Sequence, residues 1–554
     1  MKHRSRTPFV LIILLLGAPT LLLLGCGSTG GTATTGGSPA AVGSPVRGGT
    51  LTFAIEGEPQ ALDPIMSWTV QAFDMEYLLY DTLVKFASGE GAAGNKVVPE
   101  LATELPTVSN DGKTYSFHLR QGAMFAPPVS RAVTAQDFKY SFERMMSNPR
   151  SPATFFYTGI VGAQAFQAGK AKHIAGVRVV DPSTVEIRLT APDPTLLYKL
   201  CMPFCAVVPK EWVQKYGKNF VRHPLGSGPY MLQKWVPGQS ATLVRNPNYS
   251  GPTPGWPDSW QFNFTLNPEM AFLGLQRGTV DILGNGLPSS DIQRVMQDPK
   301  LKPLLKSGPI VAWYYGFLNV TVKPFDDVRV RQAVNYAIDR SRIAKILAGQ
   351  VLPLNQIYPQ GMPGYEENAD YYPYDPAKAK QLLAEAGYPD GFSTTFITFS
   401  QDPLPRVSEA LQADLAKVGI KVQIKRMQEA SGYTYITTKA SKAPMGLTYW
   451  YADFPDPSDW IGSLLSKASA ATDGGANVSW WWSPKVEALY AKAQTMQDSP
   501  ERTGLFTQMQ RIVMDEAPVF PLYQPIYNGM ASASTGGFYI HPMDVFDFLD
   551  YWRK

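Results

Sequence analysis

Apolar residues recur along this chain with a period that changes from segment to segment, and each change predicts an element. Residues 48–55 alternate Leu51, Phe53 and Ile55 with Thr50, Thr52 and Ala54, a strand pattern with large apolar residues at every second position. Val330, Ala333, Val334, Ala337 and Ile338 recur at i, i+3, i+4, i+7 and i+8, one apolar helical stripe with Gly349 as its stop. Asp375 before Pro376 predicts a capped helix with Ala379, Leu382, Leu383 and Ala386 on one face and Gly387 just past its end. Residues 392–399 then read as a strand, 407–418 as a helix ending at Gly419, and Ile420, Val422 and Ile424 as a second strand. That order predicts a βαβ crossover and a partly parallel sheet in the C-terminal half.

The N-terminus follows a different pattern. Positive charge in residues 1–6 precedes apolar runs at 10–16 and 21–24, broken by Gly17 and Pro19, which is the anatomy of a signal peptide over 1–25. The run ends in Leu23-Leu24-Gly25-Cys26, which looks like a bacterial lipobox, so Cys26 is expected to become an acylated N-terminus. The alternative is an uncleaved transmembrane anchor, which Pro19 and the Gly-Cys ending disfavour. Residues 27–46 hold no charge and are dominated by Gly, Ser, Thr, Ala and Pro, a composition too poor in apolar surface to fold. Residues 26–47 are therefore expected to be a lipidated cysteine and tether, placing the folded body outside the membrane.

Composition narrows the remaining classes. A chain of 554 residues exceeds one hydrophobic core, so two or three lobes are expected. Its 50 Lys and Arg against 46 Asp and Glu become 47 against 46 once Lys2, Arg4 and Arg6 leave with the signal peptide, and no basic patch suited to nucleic acid stands out. No metal framework of paired cysteines is present, while Cys201 and Cys205 read either as a small disulfide or as two buried thiols.

Nine segments occur in one order: Glu58-Pro59 with Leu62-Asp63-Pro64; Val98-Pro99-Glu100-Leu101-Ala102; residues 109–120; Thr134-Ala135-Gln136-Asp137; Gly226-Ser227-Gly228-Pro229-Tyr230; Arg245-Asn246-Pro247-Asn248-Tyr249; residues 328–333; residues 374–379; and Trp450-Tyr451-Ala452-Asp453-Phe454-Pro455-Asp456-Pro457. Through them, residues 48–554 resemble the extracytoplasmic solute-binding proteins of peptide/nickel ABC importers, bacterial solute-binding protein family 5. One departure is Phe125-Ala126-Pro127-Pro128, where that family more often has an Asp/Asn-Gly turn. The resemblance implies an α/β, two-lobed periplasmic-binding-protein type II-like fold with mixed sheets and a hinge. Lobe I is expected at 48–80, 200–308 and 522–554, an extra subdomain of lobe I at 81–199, and lobe II at 309–521.

By the same resemblance, the protein is expected to capture oligopeptides between the lobes and deliver them to a membrane permease and its ATPase. It would act as a monomer tethered by its lipid, with no cofactor, no bound metal and no catalysis. Asp453 matches the acidic residue of the family's Trp-x-Ala-Asp-aromatic segment and is expected to hold a peptide ammonium, or else to brace the loop of Pro455 and Pro457. Trp450 and Tyr451 belong to the same segment. Trp68 and Thr69 fall where the family's first lobe approaches ligand. Trp313 and Tyr315 alternate toward Asn319, either lining the cleft near the hinge or packing. Asn477 and Trp481 are further candidates, because three adjacent indoles, Trp480 to Trp482, cannot all face one core. Three rival classes remain in view, one of them a structural surface adhesin, which would show no ligand-driven closure. A metal-chelate binder of the same importer class would recognise the chelator's carboxylates. A surface hydrolase would need a catalytic constellation, yet the chain has neither a Gly-x-Ser-x-Gly elbow nor a His-Glu-x-x-His motif.

Overall fold

Strand Thr50–Ala54 forms where the alternation predicts it and is the second strand of a five-stranded sheet. It pairs in parallel with Ser259–Asn263 on one side and Ile282–Leu283 on the other. The antiparallel hairpin of Ser240–Arg245 and Tyr230–Val236 completes the order. In this computed structural model, residues 44–554 are described except 68, 254, 471–473 and 544. The signal peptide, Cys26 and Trp68 therefore lie outside the described residues. Among those described, no helix is long and apolar enough to cross a membrane.

A seven-stranded sheet holds the C-terminal half, in the order Leu305–Pro309, Val519–Met530, Ala312–Leu318, Met445–Tyr451, Phe392–Phe399, Ile420–Met427, with Val351–Pro353 also paired to Val519–Met530. Phe392–Phe399 runs parallel to both Ile420–Met427 and Met445–Tyr451, and helix Leu404–Ala416 makes the crossover read from the sequence. Helices cover both faces. Val330, Ala333, Val334, Leu383 and Leu411 pack on one face, while Trp313, Tyr315, Trp460 and Phe506 fill the other. Asp375 caps helix Pro376–Glu385 as expected, its carboxylate accepting from Lys378 N at 2.9 Å. The stripe that begins at Val330 serves two helices rather than one. Val328–Ala337 ends at Ile338, and Asp339 caps a second helix, Arg340–Ile346, by accepting from Arg342 N at 2.9 Å.

Inserted in sequence between the first strand of the five-stranded sheet, Thr50–Ala54, and its next, Tyr230–Val236, lie a small hairpin, Val84–Phe86 with Val97–Pro99, and an antiparallel four-stranded sheet ordered Thr107–Val108, Thr114–His118, Thr184–Arg188, Val177–Asp181. Helix Ala135–Ser147 belongs to the same core, with Phe117, Phe138, Phe142 and Ile187 buried together. Cys201 and Cys205 are buried there as free thiols. Cys201 donates to Leu197 O at 3.3 Å and Cys205 to Tyr157 Oη at 3.1 Å, and burial pushes the Cys205 thiol up to about 12.

Two extended stretches join the sheets. The chain enters the seven-stranded sheet through Leu305–Pro309 and Ala312–Leu318, and it returns through Val519–Met530, which runs antiparallel beside both. Ala531 then bridges Ile282 of the first sheet. The returning tail closes the first core, with Phe546 and Phe548 edge-on to Phe53 at 4.8 and 5.1 Å.

Candidate functional site

The strand Met445–Tyr451 delivers its last residues to a cavity of about 650 Å³ whose opposite wall comes from the N-terminal half of the chain. That wall is one face of helix Val70–Leu79. Thr69 caps the helix by accepting from Ala72 N at 3.3 Å, and Thr69, Phe73 and Tyr77, spaced by four, all line the cavity. Phe204 stands edge-on to Phe73 at 5.5 Å and extends the same aromatic wall. Facing it are Tyr433 of helix Glu429–Ile436 and the run from Thr448 to Asp453.

Asp453 lies two residues past the end of the strand, and its position is set by a relay of buried charges. Arg502, itself 2% exposed, grips Asp456 with two bonds of 2.6 and 2.9 Å. Asp456 caps the short helix Pro457–Trp460 by accepting from Ser458 N at 2.9 Å, and that helix carries Asp459. One Asp459 oxygen accepts both the Trp450 indole N–H and the Asp453 backbone N–H, each at 3.0 Å. Trp450 and Asp453 are thus fixed to a common anchor, and both line the cavity. Burial raises the Asp453 carboxyl to about 7, partly offset by a hydrogen bond with Asp459. Burial, and then the neighbouring Asp453 charge, also raise the Asp459 carboxyl well above the usual range. Two enclosed carboxyls in contact can share a proton, and a cation arriving at Asp453 would displace it.

A second cavity, of about 1100 Å³, shares Tyr433, Trp450 and Asp453 with the first. Its other wall comes from the region of the four-stranded sheet, including Asp193 and Lys199, which pair at 2.7 Å. Phe454, next to Asp453, reaches into the core of that region. It stacks on Tyr198 at 6.4 Å with planes 3° apart, and the Lys199 ammonium lies 5.7 Å from its ring.

The structure therefore brings together Thr69, Trp450, Tyr451 and Asp453 of the residues singled out in the sequence, and it sets the others apart. Trp313 and Tyr315 stack on one another at 4.1 Å in the packed layer beneath the sheet, lining neither cavity. Asn319 is buried, donating to Ala443 O at 3.0 Å and accepting from Thr321. Asn477 is also spent on its own loop, donating to Ser466 O and Trp481 O and accepting from Ser479. Trp481 packs in the core, whereas Trp482 is 40% exposed beneath Lys467. Phe73, Tyr77, Phe204, Glu429 and Tyr433 were not picked out from the sequence. The four-residue spacing of Thr69, Phe73 and Tyr77 was a readable signal for the first wall. Among the described residues, no group of three His, Cys, Asp or Glu side chains could hold a metal ion.

Comparison with known proteins follows the same outline. The family of bacterial extracellular solute-binding proteins, family 5, matches residues 96–472. The di/tripeptide-binding protein 2 of Pseudomonas aeruginosa is 30% identical over 515 residues, 90% of this chain and 94% of that protein. The dipeptide-binding protein of Escherichia coli is 30% identical over 524 residues, 91% and 94% of the two chains. Among solved structures, the ABC transporter-associated periplasmic binding protein DppA of Helicobacter pylori, in complex with the peptide STSA, superposes with a TM-score of 0.76. It is 27% identical and is matched over 92% of this chain and 98% of its own.

Proposed function

Because the chain belongs to family 5 of the bacterial extracellular solute-binding proteins and has their two-lobed α/β architecture, we propose that it captures peptides by their free N-terminus at Asp453 and delivers them to an ABC importer. The observation that carries this reading is an acidic residue lining an aromatic-walled cavity, with its backbone N–H and the neighbouring Trp450 indole both held by Asp459. A carboxylate held in that way offers an incoming ammonium a charge-assisted bond with little reorganisation. Trp450, Tyr451 and Thr69 supply the surrounding contact surface, and Lys199 in the adjoining cavity, 5.7 Å from the Phe454 ring and paired with Asp193, is the candidate for a peptide's carboxylate end.

In this reading, residues 48–80, 200–308 and 522–554 form one lobe, with 81–199 as its added subdomain, and 309–521 form the other. The paired stretches Leu305–Leu318 and Val519–Met530 are the hinge. Cys26 carries the lipid and the body works as a monomer outside the membrane, with the ATPase a separate subunit. A metal chelate suits the smaller cavity less well, because its carboxylates would meet Asp74, Glu429 and Asp453 with no Lys, Arg or His in the described lining.

Isothermal calorimetry with di- and tripeptides tests the proposal. Peptides with free N-termini are expected to bind, and Asp453→Asn to weaken them about a hundredfold, as for a severed enclosed ion pair. Equal affinity for N-acetylated peptides, or binding of Ni-chelates alone, would overturn it.

A further inference from the structure

The sign of the charges around the smaller cavity carries the peptide reading one step further. Its lining contains Asp74, Glu429 and Asp453, and among the described residues that line it there is no Lys, Arg or His. Asp74 is buried and has its own interactions, and Asp453 is assigned above to the ammonium. Glu429 is different. It is exposed, and its side chain makes neither an ion pair nor a hydrogen bond among the described residues.

A glutamate in the first turn of a helix is commonplace, since it complements the helix dipole. That role alone does not require it to line a ligand cavity. Here Glu429 stands one helical turn from Tyr433, so the two side chains share a face, and Tyr433 borders both cavities beside Asp453. Around them Phe86, Tyr449, Trp450 and Tyr451 present rings. Aromatic faces tolerate a cation and give nothing to an anion, whereas a carboxylate at such a site rewards one and repels the other. The body of the protein is close to charge-balanced, so this bias is local to the cavity rather than a field of the whole molecule.

We propose that Glu429 is a specificity-determining residue that pairs with a basic side chain near the peptide's N-terminus, so that the protein prefers Lys- and Arg-containing peptides and discriminates against acidic ones. This rests on the peptide reading, with Asp453 holding the ammonium and Glu429 reading the adjacent side chain. The aliphatic stem of that side chain lies along the aromatic wall, which a short acidic side chain would leave uncovered.

The test uses the purified protein and tripeptides identical except for Lys, norleucine or Glu at the first or second position, measured by calorimetry at neutral pH and low salt. The Lys peptide is expected to bind about tenfold or more tighter than the Glu peptide, with norleucine between them. Glu429→Gln is expected to reduce the Lys-to-Glu ratio to about threefold or less, mainly by weakening the Lys peptide. Raising the salt should compress the ratio in the wild type, because Glu429 is exposed to screening. A Lys-to-Glu ratio near one, or one that Glu429→Gln leaves intact, overturns the role of Glu429 while peptide capture stands. If none of the peptides binds, the peptide reading fails first and this inference with it.

Discussion

In the ligand-free protein, burial raises the Asp453 carboxyl to about 7, and that single shift makes opposite demands on stability and on binding. The unfolded chain holds an ordinary aspartate near ~3.9. Between these values the folded protein binds more protons than the unfolded one, so stability falls as pH rises. The penalty is absent below the unfolded value and complete above the folded one. Asp453→Asn is therefore expected to stabilise the ligand-free protein at pH 8 by on the order of 1–3 kcal/mol, the desolvation range of a buried group, with the gain vanishing near pH 4. Thermal melts of both proteins across that range check it. Binding has the other sign. An ammonium pairs only with the ionised carboxyl, so wild-type affinity is expected to fall as pH drops below about 7, and calorimetry on a non-titrating peptide series should show proton release on binding. Asp453 was singled out in the sequence because it occupies the Asp of the Trp-x-Ala-Asp-aromatic segment that resembles family 5, and the structure places it on the cavity wall. Trp313 and Tyr315 read as either cleft wall or packing, because alternation along a strand identifies a face and not what covers it. In a sheet layered by helices on both sides, either face can be core. Glu429 gave no signal at all, since an acidic residue opening a helix is what the dipole predicts anyway.

At the scale of elements, the paired stretches that join the sheets approach closely at a glycine. Gly316 sits opposite Phe520 of the returning strand and Leu447 of the strand that leads to the site. A Cβ at this position would lie 1.7 Å from Phe520 Cζ, so the ring crosses where a side chain would stand. Gly316→Ala is expected to destabilise the protein by about 1–3 kcal/mol through overpacking, measured as a lower denaturation midpoint. Phe520→Leu should relieve part of that loss, because a smaller side chain vacates the space. Neither change touches the cavity lining, so peptide affinity in the folded fraction should persist. Helix Pro376–Glu385 was legible because cap, stripe and stop agree within it, and the crossover through Leu404–Ala416 because its apolar residues end at Gly419 between two strand patterns, although it lacks a side-chain cap and begins three residues before the expected 407. The break at Asp339 was missed because the apolar stripe continues across it while only the cap marks the new start. The run Trp480 to Trp482 was legible only as a conflict. It is resolved by a left-handed turn at Trp480, φ 58°, which lets two indoles bury while Trp482 stays 40% exposed.

At the scale of the whole molecule, the ordered set of segments indicated two lobes, but periodicity says nothing about which contacts hold them near one another without ligand. Phe454 is the strongest candidate for such a contact. It directly follows the proposed ammonium anchor in sequence, yet it packs in the core of the four-stranded-sheet region, 5% exposed, against Tyr198 and 6.4 Å from Phe156. Burying a phenylalanine of this kind is worth about 1.5–3 kcal/mol, which is comparable to the gap between open and closed populations in a hinged protein. Phe454→Ala is therefore expected to shift the ligand-free protein toward the open form. Its radius of gyration in small-angle scattering should rise, while the value at saturating peptide should return to that of the wild type. Affinity should drop by about tenfold, because the binding-competent fraction shrinks and ligand must supply the closure energy that Phe454 provided. The drop should be uniform across Lys, norleucine and Glu peptides, since Phe454 biases the hinge and does not read the side chain. An unchanged ligand-free radius with weakened binding would instead make Phe454 a wall of the site. A radius that stays large at saturation would mean that the two walls close on each other only through this ring, and that the ligand by itself does not bridge them.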